Sequence, residues 1–211
     1  MSQTPEHALE RLVFFSDAVF AIAITLLVIE IHVPELSRSA SDSQFLWALV
    51  RLIPNFVGFA VSFAVIGAFW AGHHRSFMLA TRYSASIVPW NLAVLGAVAF
   101  MPFVTAFMSK FSGLRVPTAT YCFWMLLVAA LNVKVVALVT SPEMSPDAGR
   151  ADVADARNRS FAVVIAAAIA AALSLVIPVL AQAALATIPL WRWLISRRVS
   201  NARPPERLPS S

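Results

Sequence analysis

Apolar residues in this chain fall in long blocks, not in the alternation of half-buried strands. The first block covers residues 12–33 and stops at Pro34. A run of about 20 apolar residues is what a helix needs to cross a hydrocarbon layer of about 30 Å. The second block, 45–72, is longer, and Arg51 and Pro54 put its first turns at the interface or in a kink. The third, 87–108, carries Pro89 in its first turn and Pro102 inside it, and the fourth is 116–139. The polar stretch from Glu143 to Arg159 reads as the only substantial loop. Phe161 to Ile195 is almost wholly apolar, and as one helix it would be about 50 Å long. Two shorter helices, 161–177 and 180–195, with a tight turn near Pro178 to Ala183, fit a membrane better. The pattern predicts an all-α integral membrane protein, with six transmembrane helices in residues 1–196 and a disordered cytoplasmic tail over 197–211. There is no internal repeat, which counts against an inverted-repeat transporter.

Composition agrees with the pattern. The chain is 59% hydrophobic and 13% charged, against roughly 25% charged in a soluble domain. So much apolar surface needs lipid as its solvent. A net charge of +5 raises nucleic acid as a partner, but no basic face with interleaved aromatics exists, and none is expected to bind. The basic residues punctuate the blocks instead. With six spans, Arg11, Arg75, Arg82, Arg150, Arg157, Arg159 and the arginines of the tail share one side. Arg38, Lys110 and Arg115 lie on the other, with Arg51 at its edge. That bias predicts cytoplasmic termini, and the Ala/Arg-rich composition with short loops points to a bacterial inner membrane. No small-residue cleavage site follows the first block, so it reads as a retained helix. Cys122 is the one cysteine, which excludes an intrachain disulfide and reads as a buried, inert thiol.

Ionisable groups inside a span are costly and are usually paired or functional. The first block holds the densest set: Arg11, Ser16, Asp17, Thr25, Glu30 and His32. At 100° per residue Asp17 points about 140° away from Ile22, whereas Ile22, Thr25 and Ile29 lie within about 60° of one another. One face is therefore apolar with a single hydroxyl, and another carries a carboxylate in need of a donor. The second block ends in Trp70, His73, His74 and Arg75 on the same side of the membrane as Asp17. These, with Asn91, are the natural partners of Asp17 and Ser16. They form either a polar network that locks helices together or a site for a ligand. The Ile22 stripe is either a packing face or a pore lining. Adjacent His73 and His74 diverge by about 100° on a helix, and no metal-ligand spacing is present, so no metal is expected. No catalytic motif appears either; the chain reads as not an enzyme and without a cofactor. Lys134 is expected to snorkel or pair, with no partner assignable from sequence.

Two stretches carry a family resemblance. Arg11, three further residues, then Phe15-Ser16-Asp17 and the apolar run to Ile31 resemble the first helix of the TMEM175 family of potassium channels. Phe69-Trp70-x-x-His73-His74-Arg75 and the segment from Asn91 to Pro102 are similar to the same family. The last three spans match only in number and hydropathy. The resemblance implies a potassium-permeable cation channel whose pore is lined by the first helix of each subunit. It puts the constriction at Ile22, the next pore-facing turns at Thr25 and Ile29, and Glu30 at the outer mouth. A chain with one such unit is then expected to form a homotetramer in the lipid bilayer, with K+ as the permeant ion. Branched apolar side chains cannot replace lost water, so such a ring would favour the ion that sheds water more readily. The alternative is a proton-coupled transporter or proton leak pathway using Asp17 or Glu30. A non-conducting scaffold is a third reading.

Overall fold

The computed structural model describes residues 5–181, with side chains from His7 onward, and these residues are organised as seven helices. They are α1 (Pro5–Ile29), α2 (Asp42–Arg51), α3 (Ile53–Phe77), α4 (Ile87–Ala99), α5 (Met101–Lys110), α6 (Arg115–Val139) and α7 (Arg150–Val176). With α4 and α5 counted as one interrupted rod, five are long and apolar enough to cross a membrane. The protein is thus an all-helical, multi-pass membrane protein. The spans run up and down, so one end of the bundle gathers the start of α1, the end of α3, the start of α4, the end of α6 and the start of α7. This end holds Arg75, Arg82 and Arg150 and is called the basic end below.

The core lies between α1, α3, α4, α5 and α6, with α7 packed on the outside of α6. From α1 it takes Phe20, Ala23 and Leu27, a spacing that keeps one side of a helix inward. Most other large apolar side chains remain exposed on the isolated chain. In a bilayer they face lipid or another copy.

Several boundaries differ from the sequence pattern. The first span starts in the polar turn before residue 12, because His7, Ala8 and Glu10 are acceptable in a helix. It stops at Ile29, short of residue 33, where His32 and the Pro34 restriction on its neighbour discourage a further turn. The expected 45–72 span is two helices. The chain turns at Leu52, Pro54 occupies the first turn of α3, where its missing N–H costs nothing, and α3 continues to Phe77. The third span is broken at Phe100, two residues before Pro102, and ends at Lys110. The largest correction concerns the loop expected over Glu143 to Arg159. Its second half is helix, because Gly149 caps α7, Asp152 sits in the favourable first turn, and Asp155 pairs with Arg159 one turn on. A second loop, residues 30–41 between α1 and α2, is longer than the remainder. Helix α7 ends at Val176 and is capped by Ile177, just before Pro178. The expected 180–195 helix, apart from its first two residues, and the 197–211 tail lie outside the described residues.

Candidate functional site

At the basic end, α1, α3 and α4 are joined by a chain of side-chain hydrogen bonds. His73 Nε2 donates to Asn91 Oδ1 at 2.8 Å, Asn91 Nδ2 donates to Ser16 Oγ at 2.9 Å, and Ser16 donates to the Leu12 carbonyl at 2.8 Å. Ser16, His73 and Asn91 are all buried. Since Asn91 accepts from one neighbour and donates to the other, the polarity is fixed from His73 through to the α1 backbone. His73 is held further by ring contacts with Phe20 and Phe77.

Asp17 lies one residue along and takes a separate partner. Trp70 Nε1 donates to Asp17 Oδ1 at 2.8 Å, and the Trp70 ring stacks on His74 at 5.5 Å. The His74 Nδ1 is buried without a hydrogen-bond partner. Ser16, Asp17, Trp70, His73, His74 and Asn91 are therefore brought together, as two adjoining branches. Arg11 and Arg75 are exposed near this layer, and among the described residues Arg75 takes no hydrogen bond within it. No group of residues able to hold a metal ion occurs among the described residues.

Among the described residues, the opposite side of α1 has no partner. Ile22 is 57% and Ile29 68% exposed, and Thr25 is exposed too. The exposed arc is wider than the three-residue stripe. Phe15, Ile22 and Ile29 recur every seven residues and lie within about 40° of one another. Leu26 borders them on one flank, and Ala18, Ala21, Phe14 and Val28 on the other. The seven-residue spacing of Phe15 was readable in the sequence, but Phe15 was absorbed there into the Phe-Ser-Asp motif. Thr25 turns its hydroxyl hydrogen back to the Ile22 carbonyl at 2.9 Å, leaving the oxygen lone pairs on the exposed arc. Ile24 points the other way and packs against the core.

A second polar layer was missed by sequence reasoning. In the half of the bundle away from the basic end, buried Ser62 (α3), Thr105 (α5) and Tyr121 (α6) share hydrogen bonds, Ser62 to Tyr121 at 3.0 Å and Thr105 to Ser62 at 2.8 Å. Ser109, one turn beyond Thr105, is buried against Gly58, and its hydroxyl has no partner. Gly58-x-x-x-Ser62 and Thr105-x-x-x-Ser109 are small-residue pairs one turn apart, the signature of close helix approach in membranes. Lys134 has a partner as well, its ammonium lying 5.5 Å from the centre of the Trp90 ring.

Residues 11–102 match the family model described as the endosomal/lysosomal potassium channel TMEM175. A potassium channel of Chamaesiphon minutus is 40% identical over 112 residues, 53% of this chain and 55% of that protein. The human endosomal/lysosomal proton channel TMEM175 is 22% identical over 149 residues, 67% of this chain and 29% of that one. The chain thus spans about half the length of the bacterial relatives it matches. The crystal structure of a lysosomal potassium-selective channel TMEM175 homolog from Chamaesiphon minutus superposes with a TM-score of 0.80 at 29% identity. That match covers 90% of this chain and 98% of that one.

Proposed function

Through residues 11–102 this chain belongs to the TMEM175 family, and from that premise we propose that it is a potassium-permeable cation channel, assembled as a homotetramer around its first helices. The observation that carries the reading is the unpartnered arc of α1. A helix with Phe15, Ile22 and Ile29 exposed along one line lacks an occupant for that line among the described residues. Four copies facing one another would supply it. In this arrangement Ile22 forms the constriction, Thr25 and Ile29 line the next turns, and Phe15 adds a wider ring toward the basic end. An apolar ring offers no oxygen cage, so an ion crosses by deforming its hydration shell, which penalises potassium less than sodium. The outward lone pairs of Thr25 recover part of that cost.

The polar network of Ser16, Asp17, Trp70, His73, His74 and Asn91, flanked by Arg11 and Arg75, acts as the lock that fixes the angle of α1 and not as an ion ligand. Ser16, Asp17, Trp70, His73 and Asn91 bond to one another, and Asp17 points about 140° away from Ile22. The chain then does no chemistry on its substrate and needs no cofactor. On this reading both termini lie on the cytoplasmic side of the cell's inner membrane, which the distribution of basic residues supports. A proton pathway remains the second reading, favoured by the name of the human relative. Purified protein in liposomes, with potassium, sodium and proton flux measured separately, decides between them. We expect potassium flux that follows its Nernst potential without a pH gradient. Proton flux without potassium flux would replace this reading with the second, and no flux in any gradient would end both.

A further inference from the structure

At the end of the bundle opposite the basic end, α1, α3 and α5 leave a cleft of about 490 Å³ between them. Its polar lining is Glu30, His32, Asn55 and Lys110, and Phe103 and Phe107 continue it along α5. The polar groups have their bonding capacity unspent. Among the described residues the Glu30 carboxylate, the Asn55 amide and the Lys110 ammonium bond to no other side chain. His32 uses only Nδ1, on the Glu30 carbonyl, and the Lys110 ammonium rests 5.8 Å from the Phe111 ring centre. A carboxylate and an ammonium that share a cleft yet form no ion pair leave room for a ligand bearing the opposite pair of charges.

We propose that this cleft binds a phospholipid whose headgroup carries both a phosphate and a primary ammonium, of the phosphatidylethanolamine type. The phosphate accepts from Lys110 and Asn55, and the lipid ammonium donates to Glu30 and to the free His32 nitrogen. The level fits, because Glu30 and Lys110 both stand at helix ends, where headgroups lie. One acyl chain follows α5 over Phe107 and Phe103, whose rings are parallel to within 8° and 6.4 Å apart. From Lys110 to Phe103 this track is about 10 Å long, running from headgroup depth into hydrocarbon. Primary ammonium is specified over choline because a quaternary nitrogen has no hydrogen to donate to a carboxylate. The assignment makes Glu30 an anchor at the membrane interface. It rests on the membrane-spanning reading alone and is independent of conduction.

Native mass spectrometry of the full chain in detergent tests it, with phosphatidylethanolamine, phosphatidylcholine and phosphatidylglycerol added at equal mole fraction. The wild type should retain the ethanolamine lipid about fivefold over the choline lipid, the size expected for one charge-assisted hydrogen bond at an interface. Glu30→Gln should bring the two to equality, Lys110→Met should lower retention of all three, and Arg82→Gln, at the other end of the bundle, should change none. Equal retention of the three lipids by the wild type would overturn the proposal, as would an ethanolamine preference that survives in Glu30→Gln. A disulfide between Trp47→Cys of one copy and Phe107→Cys of another would also overturn it, since helix α2 of a second chain would then fill the cleft. None of these readouts depends on ion flux, so failure here leaves the channel reading untouched.

Discussion

Ile22 and Ile24 are the same residue two positions apart, yet one is exposed on the free arc of α1 and the other packs into the core. Shortening Ile22 to Ala in the proposed pore widens the ring and lets more water accompany the ion. Each 1.36 kcal/mol removed from the barrier is about tenfold in rate, so conductance should rise while preference for potassium over sodium falls. Ile24→Ala should weaken packing and do neither. Single-channel conductance and bi-ionic reversal potentials of the two variants measure the difference, and equal effects would mean the pore face is elsewhere. Asn91 bears a different load. Replacing it with Leu strands the His73 Nε2–H in a low-dielectric site at about 1–3 kcal/mol and removes the donor to Ser16, which keeps only its bond to the Leu12 carbonyl. Thermal unfolding of Asn91→Leu in detergent should therefore occur well below wild type, and an unchanged midpoint would remove the lock. Asp17 and its donors were legible in the sequence because a carboxylate inside an apolar block demands a partner. The Ser62, Thr105 and Tyr121 layer was not. Hydroxyl residues barely disturb hydropathy, and their pairings join positions 43 and 59 residues apart.

Elements were read best where apolar length alone defines them, as α6 shows by differing from its expected span by a single residue. Where a break depends on one backbone turn, length carries no signal. The turn at Leu52 separates α2 from α3 inside one apolar block, and the Ser41–Gln44 capping box marks α2 as a helix in its own right. Charge misled at α7, whose first turns are polar because they leave the membrane, not because they leave the helix. Close approach of elements is set at Gly58. A methyl group there would collide with Ser109 Oγ, so Gly58→Ala should cost about 1–3 kcal/mol by overpacking. Much of that loss should return in the Gly58→Ala, Ser109→Gly pair, where the hydroxyl that blocks the methyl is gone. A double-mutant cycle on thermal stability reads the coupling, and strictly additive losses would show that α3 and α5 do not meet at this point.

For the molecule as a whole, the hydrogen bonds of Ser16 and Asp17 matter by their location. They tie α1 to α3 and α4 near the basic end, whereas from Phe20 onward α1 holds its neighbours through apolar side chains such as Ala23 and Leu27. Hydrogen bonds fix direction and distance, but apolar contacts tolerate sliding. Helix α1 is then a cantilever, clamped at its root and free to swing at its tip, and four such beams around an axis would behave as an iris hinged below its aperture. A small rotation at the root is magnified along the lever, so the radius at Ile29 should vary more than the radius at Phe14. Spin labels placed singly at these two positions in the assembled protein should give a broader distance distribution at 29 than at 14. Trp70→Phe, which loosens the clamp, should broaden the distribution at 14 toward that at 29.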